Sequence, residues 1–373
     1  MPNHISVPLF DLKEQHSILK DELLKTYSEC MEHGMFIMGP EVKECEQKLS
    51  EFCGAKNSVT CSSGTDALRL ALMALNIGPG DEVITTAFTF IATVEMILAV
   101  GAKPVLVDID LKTYNILPEQ ALKAVTPNTK AIIAVSLFGR TAPLSELRKG
   151  LDGTGVYLIE DAAQSFGAIC GDDKSGTDAD ITTTSFFPAK PLGCLGDGGA
   201  VFTENDDWSE KMKRIRVHGS AKKYHHTDIG IGGRMDSIQC GFLNKKLSIF
   251  QNEIDLRNKI AKRYFAELKN IEGLSLPIEP KDSDRHTWAQ FTLRHEKRDA
   301  IIKGLKEFNV SCSIHYPKTV NSQPAYEGLC VEHSLENSMI AASTVFSIPM
   351  HPYLTDEQVE HTIKSLKDVL RNL

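Results

Sequence analysis

Two hydrophobic periods alternate between about residue 60 and residue 205. Gly64–Ile77 (GTDALRLALMALNI) repeats apolar residues at helical spacing. Glu82–Thr86, Pro104–Val107, Ala131–Ser136, Val156–Ile159, Thr182–Phe187 and Gly199–Thr203 are short apolar or β-branched runs, often bounded by Gly, Pro or Asp. Such alternation predicts an α/β fold in which helices cover a mostly parallel sheet. After Asp236 the pattern becomes a long charged amphipathic stretch, Ser237–Leu268, suited to a helix that joins two domains. The last hundred or so residues mix helical patterns with short strands such as Trp288–Leu293. The predicted division is a large domain over 1–245, including an N-terminal arm, and a smaller α+β domain over 246–373. The first forty residues are expected to wrap over the smaller domain or over a neighbouring chain. No internal repeat or low-complexity tract is visible.

Length and composition sharpen this picture in three ways. A chain of 373 residues exceeds one ordinary hydrophobic core, which agrees with a large domain plus a smaller one. A net charge of −8 leaves no basic footprint for nucleic acid or an anionic membrane, so any phosphate must be recognised locally. Nine cysteines without CxxC or paired zinc spacing fit a reducing compartment, most of them as small core residues. The N-terminus lacks a basic n-region and an apolar h-region, and no uncharged apolar run reaches roughly 18 residues. A soluble cytoplasmic protein is the expectation.

In a parallel sheet, ligands gather at the carboxyl ends of the strands, and several of the four stretches that follow fall there. In CSSGTDALRLAL (Cys61–Leu72), Ser63, Gly64 and Thr65 stand where a helix starts, so free N–H groups, hydroxyls and the positive end of the helix dipole converge as they would on a phosphate. The same residues could form an ordinary N-cap. The GxxxxGK[ST] spacing of a P-loop is absent. In VYLIEDAAQSFGA (Val156–Ala168) a buried-looking strand ends in Glu160 and Asp161, followed by Gln164; a carboxylate there needs a cation, such as a protonated pyridine, unless it caps the next helix. In TTAFTFIAT (Thr85–Thr93), Phe88 and Phe90 follow a strand and offer an aromatic face or simple core packing. In SFFPAKPLGCLGDGGA (Ser185–Ala200), Lys190 is either a solvated loop charge or a nucleophile kept neutral beside apolar Phe186 and Phe187. Taken together, a phosphate site, an aromatic face, an acid for a ring nitrogen and a lysine for an aldehyde describe pyridoxal 5′-phosphate.

The motifs SSGTDAL, FTFIAT, EDAAQSFGA and SFFPAKPLGCLGDGGA, in order and spacing over nearly the whole chain, resemble those of the DegT/DnrJ/EryC1/StrS sugar aminotransferases. Arg216–Gln239 and SIHYP (Ser313–Pro317) are most similar to members that act on UDP-2-acetamido-2-deoxy-3-oxo-D-glucuronate in surface-polysaccharide (O-antigen, lipopolysaccharide) biosynthesis. The resemblance implies the type I pyridoxal-phosphate transferase fold, aspartate aminotransferase-like, and a homodimer with shared active sites. It implies L-glutamate as donor and a nucleotide sugar as acceptor. By position, Lys190 would be the Schiff-base lysine, Asp161 would hold the pyridinium N–H, Gln164 would contact the ring hydroxyl and Phe90 would stack on the ring. Ser63, Gly64, Thr65 and Ser185 would hold the phosphate. Arg234, reaching across from the partner chain, would bind the sugar with His315 and Tyr316; a structural ion pair at the dimer interface is the plainer reading of Arg234.

Two features depart from or complicate that pattern. Many relatives carry asparagine two residues before the arginine, whereas this chain has Gly232 followed by Gly233, so no side-chain donor remains there. His218, His225 and His226 lack convincing ligand spacing, and no metal site is expected. Other readings are amination of a 4-keto sugar, a dehydratase of the same family, which would carry histidine in place of Lys190, and a cofactor-binding regulator without turnover.

Overall fold

Residues 5–373 are described in a computed structural model. Eight strands form the main sheet: β1 (Asn57–Cys61), β2 (Glu82–Thr86), β3 (Lys103–Val107), β4 (Thr129–Val135), β5 (Tyr157–Asp161), β6 (Ile181–Ser185), β7 (Gly199–Thr203) and β8 (Val331–Glu332). Their spatial order is β1-β7-β6-β5-β4-β2-β3-β8. Only β7 runs antiparallel, pairing with β1 on one side and β6 on the other. The carboxyl ends of β1, β5 and β6 therefore lie along one edge, and the amino end of β7 joins them.

Strand period explains why both faces of this sheet are covered. Successive side chains point to opposite faces. Ala131 and Ile133 pack with Ile159, Ile181 and the helix Gly64–Ala74, whereas Ile132 and Ala134 pack with Leu158, Val105 and the helix Leu144–Leu151. Continuous apolar runs are what a sheet buried on two sides requires. The helix Gly64–Ala74 ends three residues before the apolar pattern does.

The long helix Ser237–Leu268 has the predicted limits. Cys240, Leu243, Phe250 and Ile254 contribute to a core with Phe186 and Phe202 of the sheet region, while Ile260, Tyr264 and Leu268 belong to a second core with Phe291, Leu305, Phe346 and Leu366. Val7 packs into that second core and bridges to Val310. Seven of the nine cysteines are buried and all are free. No helix among the described residues is long and apolar enough to cross a membrane.

Candidate active site

The turn after β1 is shaped by close backbone packing. Ser63 is the N-cap of the helix Gly64–Ala74, its hydroxyl accepting from the Asp66 N–H at 3.1 Å. The N–H groups of Gly64 and Thr65 have no acceptor among the described residues and remain available to a ligand. A Cβ added to Gly64 would stand 2.5 Å from Ser185 Cβ, and one added to Gly199 would stand 2.4 Å from the Ser63 carbonyl oxygen. Glycine at both positions thus lets β1, β6 and β7 converge, bringing Ser63, Gly64, Thr65 and Ser185 into one cradle at a helix N-terminus. An anion is the natural occupant of such a cradle.

Lys190 lies on the loop that follows β6. Phe186 is fully buried and anchors this loop through its N–H to the Gly198 carbonyl at 2.8 Å, and its own carbonyl accepts from the Cys194 N–H at 2.7 Å. Phe187, expected to be in apolar surroundings, is instead 52% exposed, because the chain turns outward after Phe186. Burial pushes the Lys190 ammonium below its ordinary pKa, opposed by the charge of Asp161. Asp161 ends β5 and is 6% exposed; burial raises its carboxyl, while the Ala163 N–H at 3.2 Å, the Thr93 hydroxyl at 3.0 Å and the charge of Lys190 oppose that rise. Neither group has a full counter-ion in hydrogen-bond contact. A cationic ring nitrogen beside Asp161 would keep the carboxylate charged, and a neutral Lys190 amine is the form that attacks an aldehyde.

Phe90 is the N-cap residue of the helix Ile91–Ala99 and is 53% exposed, leaving its ring free on the cleft side. Phe88 is fully buried against Tyr114 and Phe138, so of the two aromatic candidates it is the core residue. Gln164 is held at both ends: its carbonyl oxygen accepts from the Phe138 N–H at 2.7 Å and its amide donates to the Tyr316 hydroxyl at 3.1 Å. Tyr316 lies with its ring 6.1 Å from that of Phe90, and burial pushes its hydroxyl pKa up. His315 Nε2 lies 3.3 Å from the Ser313 hydroxyl, and burial together with the Lys190 charge lowers the imidazole pKa. Lys190, Asp161, Gln164, His315 and Tyr316 are therefore brought together from β5, the β6 loop and the segment after the helix Arg298–Glu307. Thr93 was not singled out from sequence; helical spacing from Phe90 was the available signal, since Phe90 and Thr93 fall one turn apart on either side of the helix start.

Arg234 stands apart from this group. Its guanidinium makes neither a hydrogen bond nor an ion pair among the described residues, and its segment is tied to the cradle through Ser62 N–H to the Gly233 carbonyl at 3.0 Å. A Cβ at Gly232 would meet the His218 ring at 3.2 Å, so the histidine occupies the space over the glycine. His225 and His226 are exposed on a short hairpin, with His226 Nδ1 on the His218 carbonyl at 2.8 Å.

The sequence and the fold are similar to those of known proteins. Residues 17–367 match the model of the DegT/DnrJ/EryC1/StrS aminotransferase family. The chain belongs to that family. It is 42% identical, over 95% of its length and 98% of the relative, to the UDP-2-acetamido-2-deoxy-3-oxo-D-glucuronate aminotransferase of Pseudomonas aeruginosa. It is 39% identical to a pleiotropic regulatory protein of Geobacillus stearothermophilus, covering 99% of this chain and 100% of that one. Among solved structures, NtdA of Bacillus subtilis with bound cofactor PMP superposes with a TM-score of 0.90 at 30% identity, covering 100% of this chain and 87% of that one. The fold is that of the type I pyridoxal-phosphate aminotransferases, and the cofactor of this chain is pyridoxal phosphate. The residues present fit it: the glycine-lined cradle suits its phosphate, the buried Asp161 carboxyl suits its ring nitrogen, and the half-buried Lys190 amine suits its aldehyde.

Proposed function

We propose that this aminotransferase moves the amino group of L-glutamate to the keto carbon of a nucleotide-linked sugar, UDP-2-acetamido-2-deoxy-3-oxo-D-glucuronate, acting in the cytoplasm as a homodimer for surface-polysaccharide biosynthesis. Likeness to the Pseudomonas aeruginosa relative over nearly the full length of both chains supports the sugar. The observation that carries the reaction is half-buried Lys190 facing the charge of buried Asp161 at the carboxyl edge of the sheet. When bound, pyridoxal phosphate supplies a ring that withdraws electrons from the substrate's reacting carbon.

The chain's residues would divide the work by charge and reach. Ser63, Gly64, Thr65 and Ser185 would hold the phosphate, Phe90 would stack on the ring, and Gln164, beside Tyr316, would contact the ring hydroxyl. Asp161 would hold the ring N–H, its negative charge favouring the protonated ring. Lys190 Nζ, its pKa lowered by desolvation, would be the group that takes a proton from the donor's reacting carbon and returns one to the sugar's. Both substrates enter one site in turn, so ping-pong kinetics follow. Arg234 of a partner chain offers a planar fork to the uronate carboxylate, with His315 and Tyr316 on the sugar.

Lys190→Ala should keep the fold and lose both the visible absorption band of the cofactor-loaded protein and all transamination. In the unaltered protein L-glutamate should bleach that band with release of 2-oxoglutarate, and the 3-keto UDP-uronate should restore it. A band that glutamate leaves intact defeats the proposed reaction, and one restored only by a 4-keto sugar defeats the proposed acceptor.

A further inference from the structure

Asp161 does not meet the cleft alone. Thr93 is fully buried on the helix Ile91–Ala99, and its hydroxyl donates to Asp161 Oδ2 at 3.0 Å across 68 residues of chain. A helical threonine commonly turns its hydroxyl back to a carbonyl of the preceding turn, whereas this one reaches out of its helix to a carboxylate. Thr89, 3% exposed, lies behind it with the two hydroxyl oxygens 3.3 Å apart, and Thr93 is the one partner of the Thr89 hydroxyl among the described residues. On the other oxygen of the acid, Oδ1, the Ala163 N–H donates at 3.2 Å. The other titratable groups facing Asp161 are Lys190 on the loop after β6 and Tyr316 on the segment after the helix Arg298–Glu307.

These hydroxyls have a direction. Each has a single proton to give. With Asp161 ionised, Thr93 donates to Oδ2 and Thr89 donates to Thr93, so every donor in the chain has an acceptor. With a proton on Oδ2, both hydroxyls must turn round, and the Thr89 O–H then has no acceptor among the described residues. A buried donor left unmatched is costly. The pair of threonines therefore opposes protonation of Oδ2 in a place where burial raises the carboxyl.

We propose that Thr93 is a positioning residue for the reaction: with Thr89 behind it, its hydroxyl keeps the Asp161 carboxylate charged and fixed in orientation for the cofactor's ring nitrogen. The inference rests on the aminotransferase reading above and adds to it the residues that hold the acid. Each carboxylate oxygen has two acceptor sites, so the contacts from Thr93 and Ala163 fix the plane of the group and still leave room for a ring N–H.

The test uses cofactor-loaded protein carrying Thr93→Val, which keeps nearly the same shape without the hydroxyl, or Thr93→Ser, which keeps the hydroxyl. The pH midpoint of the visible absorption band should move by about one pH unit in Thr93→Val and by less than about a third of that in Thr93→Ser. The rate at which L-glutamate bleaches the band should fall about ten-fold in Thr93→Val with KM within about two-fold, and Thr93→Ser should recover most of it. Thr89→Val should repeat the pattern at about two- to three-fold, and it decides the matter should Thr93→Val not fold. A midpoint that stays in place, equal changes in the valine and serine variants, or a rise confined to KM would overturn the assignment. If glutamate bleaches neither the unaltered protein nor the variants while Thr93→Val moves the midpoint and Thr93→Ser restores it, the role of the hydroxyl stands and glutamate falls as the donor.

Discussion

Glu160 and Asp161 are adjacent in β5, and the two-residue period of a strand sends them to opposite faces. Asp161 meets Thr93 and the Lys190 charge on the cleft side. Glu160 is fully buried and accepts from the Ser136 hydroxyl at 2.7 Å, the Gly176 N–H at 3.0 Å and the Thr182 hydroxyl at 3.2 Å. Burial nevertheless pushes its carboxyl up to about 7. A carboxyl raised in the folded state favours folding below its unfolded pKa, and that contribution is lost as pH rises through the folded value. Glu160 therefore costs about 3 kcal/mol of stability between pH 4.5 and pH 7. Glu160→Gln should remove that dependence, so the stability difference from the unaltered protein should grow in the variant's favour across this window in denaturant titrations. A difference that stays constant with pH would exclude Glu160 as the titrating group. Both acids were visible in the sequence as a pair ending a strand; which of them faces Lys190 was decided by the elements packed on each side.

At the scale of the element, the cradle depends on three strands approaching more closely than side chains permit. Gly64→Ala places a methyl 2.5 Å from Ser185 Cβ, in contact with a strand rather than a flexible tip. Relieving it must move the turn that presents the free N–H groups, at a cost of about 1–3 kcal/mol. Cofactor affinity should accordingly drop about ten-fold or more, read by the visible band during titration with pyridoxal phosphate. An unchanged titration would show that the phosphate lies elsewhere. Six of the eight strands and the long helix were legible because each is a run of apolar or β-branched residues of sufficient length. β1 (Asn57–Cys61) was missed, since NSVTC mixes polar and apolar residues, and the two-residue β8 carries no periodic signal at all. Phe187 was misjudged because a phenylalanine's preference for apolar surroundings yields to the backbone turn fixed by Phe186.

For the whole molecule, the exposed apolar residues are unevenly placed. Met31, Met35, Phe36, Ile37 and Met38 are all exposed within eight residues, and Phe36 and Ile37 are joined by backbone contacts to Ser237 and Asp236 at the start of the long helix. A contiguous apolar surface of this kind is suited to a second copy of the chain. Ile37→Asp should shift the protein toward monomer in analytical ultracentrifugation and lower its activity in proportion; a monomeric unaltered protein would remove the homodimer. Arg234, which has no partner among the described residues, belongs to the same question. Mixing Lys190→Ala with Arg234→Ala chains should restore about a quarter of full activity, because half of the dimers are mixed and each of those holds one intact site. No recovery on mixing would place Arg234 in its own chain's site or outside any.

Taken alone, the sequence determined the chemistry and the order of elements. Lysine, acid and aromatic motifs each followed a recognisable strand, and short-range pattern is enough to put them at one edge of a parallel sheet; the helix-start motif was read from its own residues, without the strand before it. Tertiary structure decided how these groups meet. It turned Asp161 and not Glu160 toward Lys190, joined Tyr316 to Gln164 across more than 150 residues, and set the His218 ring against Gly232. Each of those outcomes depends on contacts between segments distant in the chain, where burial and unpaired charge are set by what packs opposite. Local periodicity contains no record of that.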